Sequence, residues 1–88
     1  MKTLDLVLKH KWYDMIECGE KREEYREIKP YWQKRLMDKD YTLVRFHRGY
    51  TNTTMLFIVS NIKIGYGNPH WGAPYKDVFK IELGERIL

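Results

Sequence analysis

The pattern of apolar and polar positions along the chain predicts about five strands and two short helices. From Thr3 to Lys9 the residues alternate. Leu4, Leu6 and Leu8 turn one way while Asp5, Val7 and Lys9 turn the other, which is the period of a half-buried strand. Between His10 and Cys18 the period changes: Trp12, Met15 and Ile16 fall at the i, i+3, i+4 spacing of one helical face. Gly19 follows, where a helix end takes the left-handed conformation.

Arg22 to Ile28 admits two readings, since its run of charges suits a solvated helix by propensity. A strand is preferred, because Gly19 has just closed a helix and Pro30 imposes an extended residue before itself. Pro30 then opens a second helix, to about Met37, with Trp32 and Leu36 inward. Thr42 to Arg48 alternates again, with Val44 and Phe46 inward. Met55 to Val59 is a continuous apolar run, and Asn61 to Tyr66 carries it on after a bulge at Ser60 and Asn61. Gly65 to Pro74 is a loop rich in Gly and Pro, and Phe79, Ile81 and Leu83 mark a last alternating strand. This order predicts an α+β domain: a small mixed β-barrel of about five strands with two short helices near its front. Residues 1–88 read as one domain, with no repeat, linker or low-complexity tract.

Size and charge then narrow the picture. A chain of 88 residues buries only about 60–65% of its unfolded surface. Three tryptophans and seven tyrosines either fill that small core or serve as stacking surfaces for bases, and composition leaves both open. Sixteen Lys and Arg against twelve Asp and Glu, a net charge of +4, favour an anionic partner such as nucleic acid. The single cysteine, Cys18, excludes an internal disulfide and suits a reducing, cytoplasmic compartment; it reads as a small buried hydrophobe rather than a catalytic thiol. The apolar run within Met1 to Lys9 is broken by Asp5 and too short for a leader, and no stretch reaches transmembrane length.

The chemistry concentrates in the stretch from Gly19 to Glu27. On a strand, Glu24 and Arg26 project from one face, about 6.6 Å apart, so they pair or line one cleft wall. Lys21, in the turn before, is free of the alternation and leans over the same cleft, while Tyr25 falls on the other face with Glu23 and Glu27. A lysine and an arginine beside a carboxylate grip a phosphate and read a polar base edge. A lysine desolvated in a cleft also acts as a base or nucleophile. By residue pattern alone, a solvated charge run on a surface strand is the plainer reading.

Gly19, Lys21, Glu24 and Arg26 reproduce a G-x-K-x-x-E-x-R pattern that resembles the signature of ASCH domains. The surrounding order, an opening strand and a short helix carrying Trp12 and Ile16 before the motif strand, resembles theirs too. The resemblance implies a PUA-like pseudobarrel, a cleft between barrel and helices with the signature residues on its floor, and a role in RNA handling. Some small stand-alone members are amidohydrolases that remove the acetyl group of N4-acetylcytidine. In those the resemblance implicates Lys21 in catalysis; for such an enzyme the residue types themselves suit Lys21 as base or nucleophile, Glu24 as proton shuttle or orienting group and Arg26 as clamp. Those members carry threonine at the position of Glu24 and a further glutamate later, for which Glu82 and Glu85 are the candidates by position.

Two more clusters complete the expectation. In the loop from Gly67 to Tyr75, Trp71 either stacks on a base at the cleft or plugs one end of the barrel, and His70 offers a hydrogen bond. Arg45, His47, Arg48 and Tyr50, joined by Lys63 if the strands pair, form either a phosphate track or an exposed barrel face. His10, His47 and His70 lack metal-ligand spacing, so neither metal nor cofactor is expected. The leading expectation is an RNA- or nucleotide-binding module in which Lys21, Glu24 and Arg26 read a nucleotide while Trp71 or Tyr50 stacks on it. The amidohydrolase and a non-catalytic protein-interaction module are the alternatives.

Overall fold

The computed structural model describes residues 2–88; Met1, the start of the run judged too short for a leader, lies outside them. Five strands form one sheet in the order β1-β3-β4-β5-β2. They are β1 (Lys2–Leu8), β2 (Glu23–Arg26), β3 (Tyr41–Arg48), β4 (Thr54–Tyr66) and β5 (Asp77–Arg86), with helices α1 (His10–Glu17) and α2 (Pro30–Leu36). Strands β1 and β3 run parallel, and the other neighbours are antiparallel.

The alternation read from the sequence sets the core. Leu4, Leu6 and Leu8 of β1 and Val44 and Phe46 of β3 are buried together with Met55, Phe79, Ile81 and Leu83. The sheet curls into a half-barrel because β4 serves both halves. Its first part, Thr54 to Ile58, pairs with β3, and from Phe57 to Tyr66 it pairs with β5. The register shifts between Val59 and Asn61, where one extra residue bends the strand. This is the expected bulge.

Each helix closes as its residues dictate. Gly19 takes φ +87° after α1, and Lys29 is extended before Pro30 at the start of α2. On α1 the buried pair is Tyr13 and Ile16, with Trp12 and Met15 only half-buried. Tyr13, absent from the predicted face, is 1% exposed. Cys18, read as buried, is exposed: it is the C-cap of α1, where the chain turns outward, and its thiol reaches only the Met15 carbonyl. The expected coil from Gly65 to Pro74 begins later, after Tyr66, and holds a 3-10 turn at Pro69–Trp71. The Asn68 side chain caps that turn by accepting from the His70 N–H. No helix among the described residues is long and apolar enough to cross a membrane.

Candidate functional site

The edge strands of the curled sheet are β1 and β2, and the site lies in the seam between them. Orientation of the backbone explains its chemistry. The Leu8 carbonyl accepts from Gly49 N–H, so Val7, its neighbour, turns its own N–H and C=O away from β3 and into the seam. On the other side, the Arg22 carbonyl accepts from Leu83 N–H, so Tyr25 turns its C=O away from β5. Arg26 spans the gap. Its Nη1 donates to the Tyr25 carbonyl at 2.7 Å and its Nη2 to the Val7 carbonyl at 3.4 Å.

Lys21, Glu24 and Arg26 converge as the spacing predicted. Lys21 and Glu24 are buried, at 2% and 5% exposure. Lys21 Nζ stands 3.1 Å from Glu24 Oε1, and Arg26 Nη1 donates to Glu24 Oε2. Two cations share one carboxylate, so the trio carries a net charge of +1. Lys21 also donates to the Trp71 carbonyl, and its ammonium lies 5.0 Å from the Trp12 ring centroid and 4.7 Å from that of Tyr25. Two aromatic faces, a carbonyl and a carboxylate thus replace the water a buried ammonium loses. Burial nevertheless pushes the Lys21 pKa down, outweighing the attraction of Glu24.

The surrounding loop is held against this trio by close contacts. Tyr25, on the Glu23 face as expected, donates its hydroxyl proton to Glu23 at 2.8 Å and accepts from Asn68 N–H at 2.9 Å. Its ring packs with Ala73, Val78 and Trp71. Gly72 has φ +100°, and a Cβ there would stand 2.9 Å from the Trp12 ring. Glycine therefore lets the loop lie flat on that indole and present the Trp71 carbonyl to Lys21. The hollow so formed has a volume of about 250 Å³, walled by Val7, Trp12, Tyr25 and Trp71 around the charged trio.

Other predicted residues lie elsewhere. Tyr50 is 98% exposed in the β3–β4 turn, and the exposed His70 does not line the hollow. Arg45 and His47 both face Asp5 of β1, at 3.7 and 2.9 Å. Arg48 forms a two-pronged pair with Asp14, 2.9 Å on each arm. Lys63 is not beside them. It sits on the part of β4 that pairs with β5, 3.2 Å from Glu82. The cluster read as either a phosphate track or an exposed barrel face is thus split, with Lys63 apart from the rest, and its arginines and Lys63 stand beside acids. Glu82 is committed to Lys63 and Glu85 is exposed, and among the described residues lining the hollow Glu24 is the one carboxylate.

Sequence reasoning missed Trp12, the Tyr25 ring and the Val7 backbone as parts of the wall; of these, only Trp12 carried a signal, its place on the face of a helix next to the motif. A larger hollow of about 740 Å³ opens between the end of α2 and the middle of β4. Its charged residues Asp38, Lys39, Asp40 and Lys63 are all exposed, so it lacks the desolvation that marks the seam. Among the described residues no group of three or more His, Cys, Asp or Glu is placed to hold a metal ion. Scans against protein-family models, curated proteins and solved structures found no match to this chain.

Proposed function

We propose that this is an ASCH-type domain of PUA-like fold whose seam hollow binds one nucleotide of an RNA strand. The observation that carries the reading is the buried trio with an excess positive charge inside an aromatic wall. Arg26 has five N–H donors, and three of its bonds are to Glu24, Tyr25 and Val7. Two donors remain for a phosphate oxygen or a base edge. The half-buried Trp71 ring offers stacking, and the hollow's volume suits a single base rather than a drug-sized ligand.

Tryptophan fluorescence titrated with nucleoside monophosphates and short single-stranded RNA at low salt tests this. Arg26→Lys keeps the charge but loses the fork and the guanidinium that sits 5.1 Å from the Trp32 centroid. It should weaken binding about tenfold, the loss of one good charged hydrogen bond, with the fold intact by circular dichroism. Absence of binding by the wild type, or equal binding by Arg26→Lys, removes the proposal.

The amidohydrolase is a second reading, favoured by one observation: the depressed pKa of Lys21 raises the fraction of free amine. Incubation with N4-acetylcytidine decides it, with acetate release expected and lost in Lys21→Met. No turnover at high protein concentration defeats it. The absence of a second carboxylate from the lining ranks this reading below binding.

A further inference from the structure

A second hollow lies on the face of α2, about 550 Å³ in volume and lined by Lys2, Tyr31, Lys34, Arg35, Lys39 and Tyr41. No carboxylate is among these residues. Among the described residues none of its four cations has a carboxylate within 4 Å. Asp38 and Asp40 flank Lys39 in the chain and line the neighbouring hollow, which Lys39 and Tyr41 also border. Here the cations of Lys2, Lys34 and Arg35 are held by no acid among the described residues, unlike those of Arg45, Arg48 and Lys63.

Rings alternate with these cations. Arg35 Cζ stands 5.2 Å from the Tyr31 centroid, and Lys2 Nζ 6.0 Å from that of Tyr41. Tyr31 is 60% exposed and meets Trp32 edge to face at 4.8 Å. Trp32 is the ring beneath Arg26. A continuous row of cations and rings therefore runs from the buried trio through Arg26, Trp32 and Tyr31 to Arg35.

We propose that the α2 hollow is a second subsite, taking the phosphates and one stacked base of a single-stranded nucleic acid whose neighbouring nucleotide occupies the seam. The placement of the adjoining nucleotide rests on the seam reading above. A cationic groove interleaved with aromatic rings is what a single strand requires, since every base has a π-face and every linkage a negative charge. The lining holds no aliphatic side chain of the kind an anionic membrane surface would take up.

The test is fluorescence anisotropy with a labelled octanucleotide RNA across salt concentrations, beside titration with nucleoside monophosphate. Lys34→Gln with Arg35→Gln should weaken octamer binding at least tenfold at low salt. It should also lower the slope of log affinity against log salt by about 1.4, two contacts at about 0.7 each for a single strand. Monophosphate binding should be unchanged. Tyr31→Ala should weaken the octamer with no change in slope. Arg45→Gln with Arg48→Gln removes the same charge from a neutralised face and should alter affinity less than twofold. If that control pair weakens the octamer as much as the α2 pair, the subsite is overturned. So it is if the wild type binds phosphatidylserine vesicles and not the octamer. If monophosphate fails to bind while the α2 pair still abolishes octamer binding, the seam reading falls and the α2 subsite stands alone.

Discussion

Glu24→Gln should be the most damaging isosteric change in the seam. Glu24 is the one anion between Lys21 and Arg26. At an effective dielectric near 20, unit charges 3.1 Å apart attract by about 5 kcal/mol. Glutamine preserves shape and one acceptor but removes that attraction. Arg26, half-buried, can turn toward water; Lys21, walled by Trp12, Tyr25 and Trp71, has no such route. Breaking a buried pair by removing one partner costs about 3–5 kcal/mol. A domain of this length holds about 4–13 kcal/mol in all, so a large share of its stability is at stake. Urea unfolding at pH 7, followed by tryptophan fluorescence, should show a midpoint lowered by more than about 1 M.

The pH dependence gives that prediction a second, independent arm. Without Glu24 the charged form of Lys21 loses its main support, so its pKa drops further below the ordinary value of 10.5. Between the two values the unfolded chain binds more protons than the folded one, so stability rises with pH across that window. The deficit of Glu24→Gln should shrink as pH climbs from 7 toward 10. Adding Lys21→Met to it should recover most of the loss, since the uncompensated charge is gone. A cost below about 1 kcal/mol, or a deficit constant from pH 7 to 10, would refute the idea that Glu24 holds a buried ammonium.

Three more outcomes follow from the same geometry. Gly72→Ala forces a side chain into φ +100° and against the Trp12 ring, at a cost of about 1–3 kcal/mol; thermal melts should register this, and nucleotide affinity should fall several-fold as the Trp71 carbonyl moves. Unaltered melting would show the loop contact to be loose. Tyr25→Phe orphans the Asn68 N–H, costing about 1–3 kcal/mol, and hydrogen exchange at Asn68 should quicken; an unchanged exchange rate would contradict the role given to that hydroxyl. Asp5→Asn releases Arg45 on a face away from both hollows, so RNA affinity at low salt should change less than twofold. A clear gain that fades near 0.5 M salt, where the Debye length is only a few ångströms (about 4 Å), would put that face on the path of the strand.

What was legible in the sequence was local. Strict alternation in β1 and β3 placed Leu4, Leu6, Val44 and Phe46 inside, because a half-buried strand tolerates no slip of one residue. The convergence of Lys21, Glu24 and Arg26 was equally local, a turn residue and two positions on one side of a strand. The seam was not legible. It depends on β1 and β2 ending at opposite edges of a five-strand order, and no spacing within either strand encodes that the Val7 carbonyl will meet Arg26. The splitting of the cluster from Arg45 to Lys63 has the same origin. The cation at Arg45 was visible in the chain, but its neutralisation comes from the parallel register that sets Asp5 against it, forty residues away. Lys34 and Arg35 escape that fate for a matching reason: the first pair of the same ladder, Lys2 with Tyr41, brings another cation and a ring to their side instead of an acid. Spacing decides which charges exist on a face; long-range register decides which of them remain free to bind.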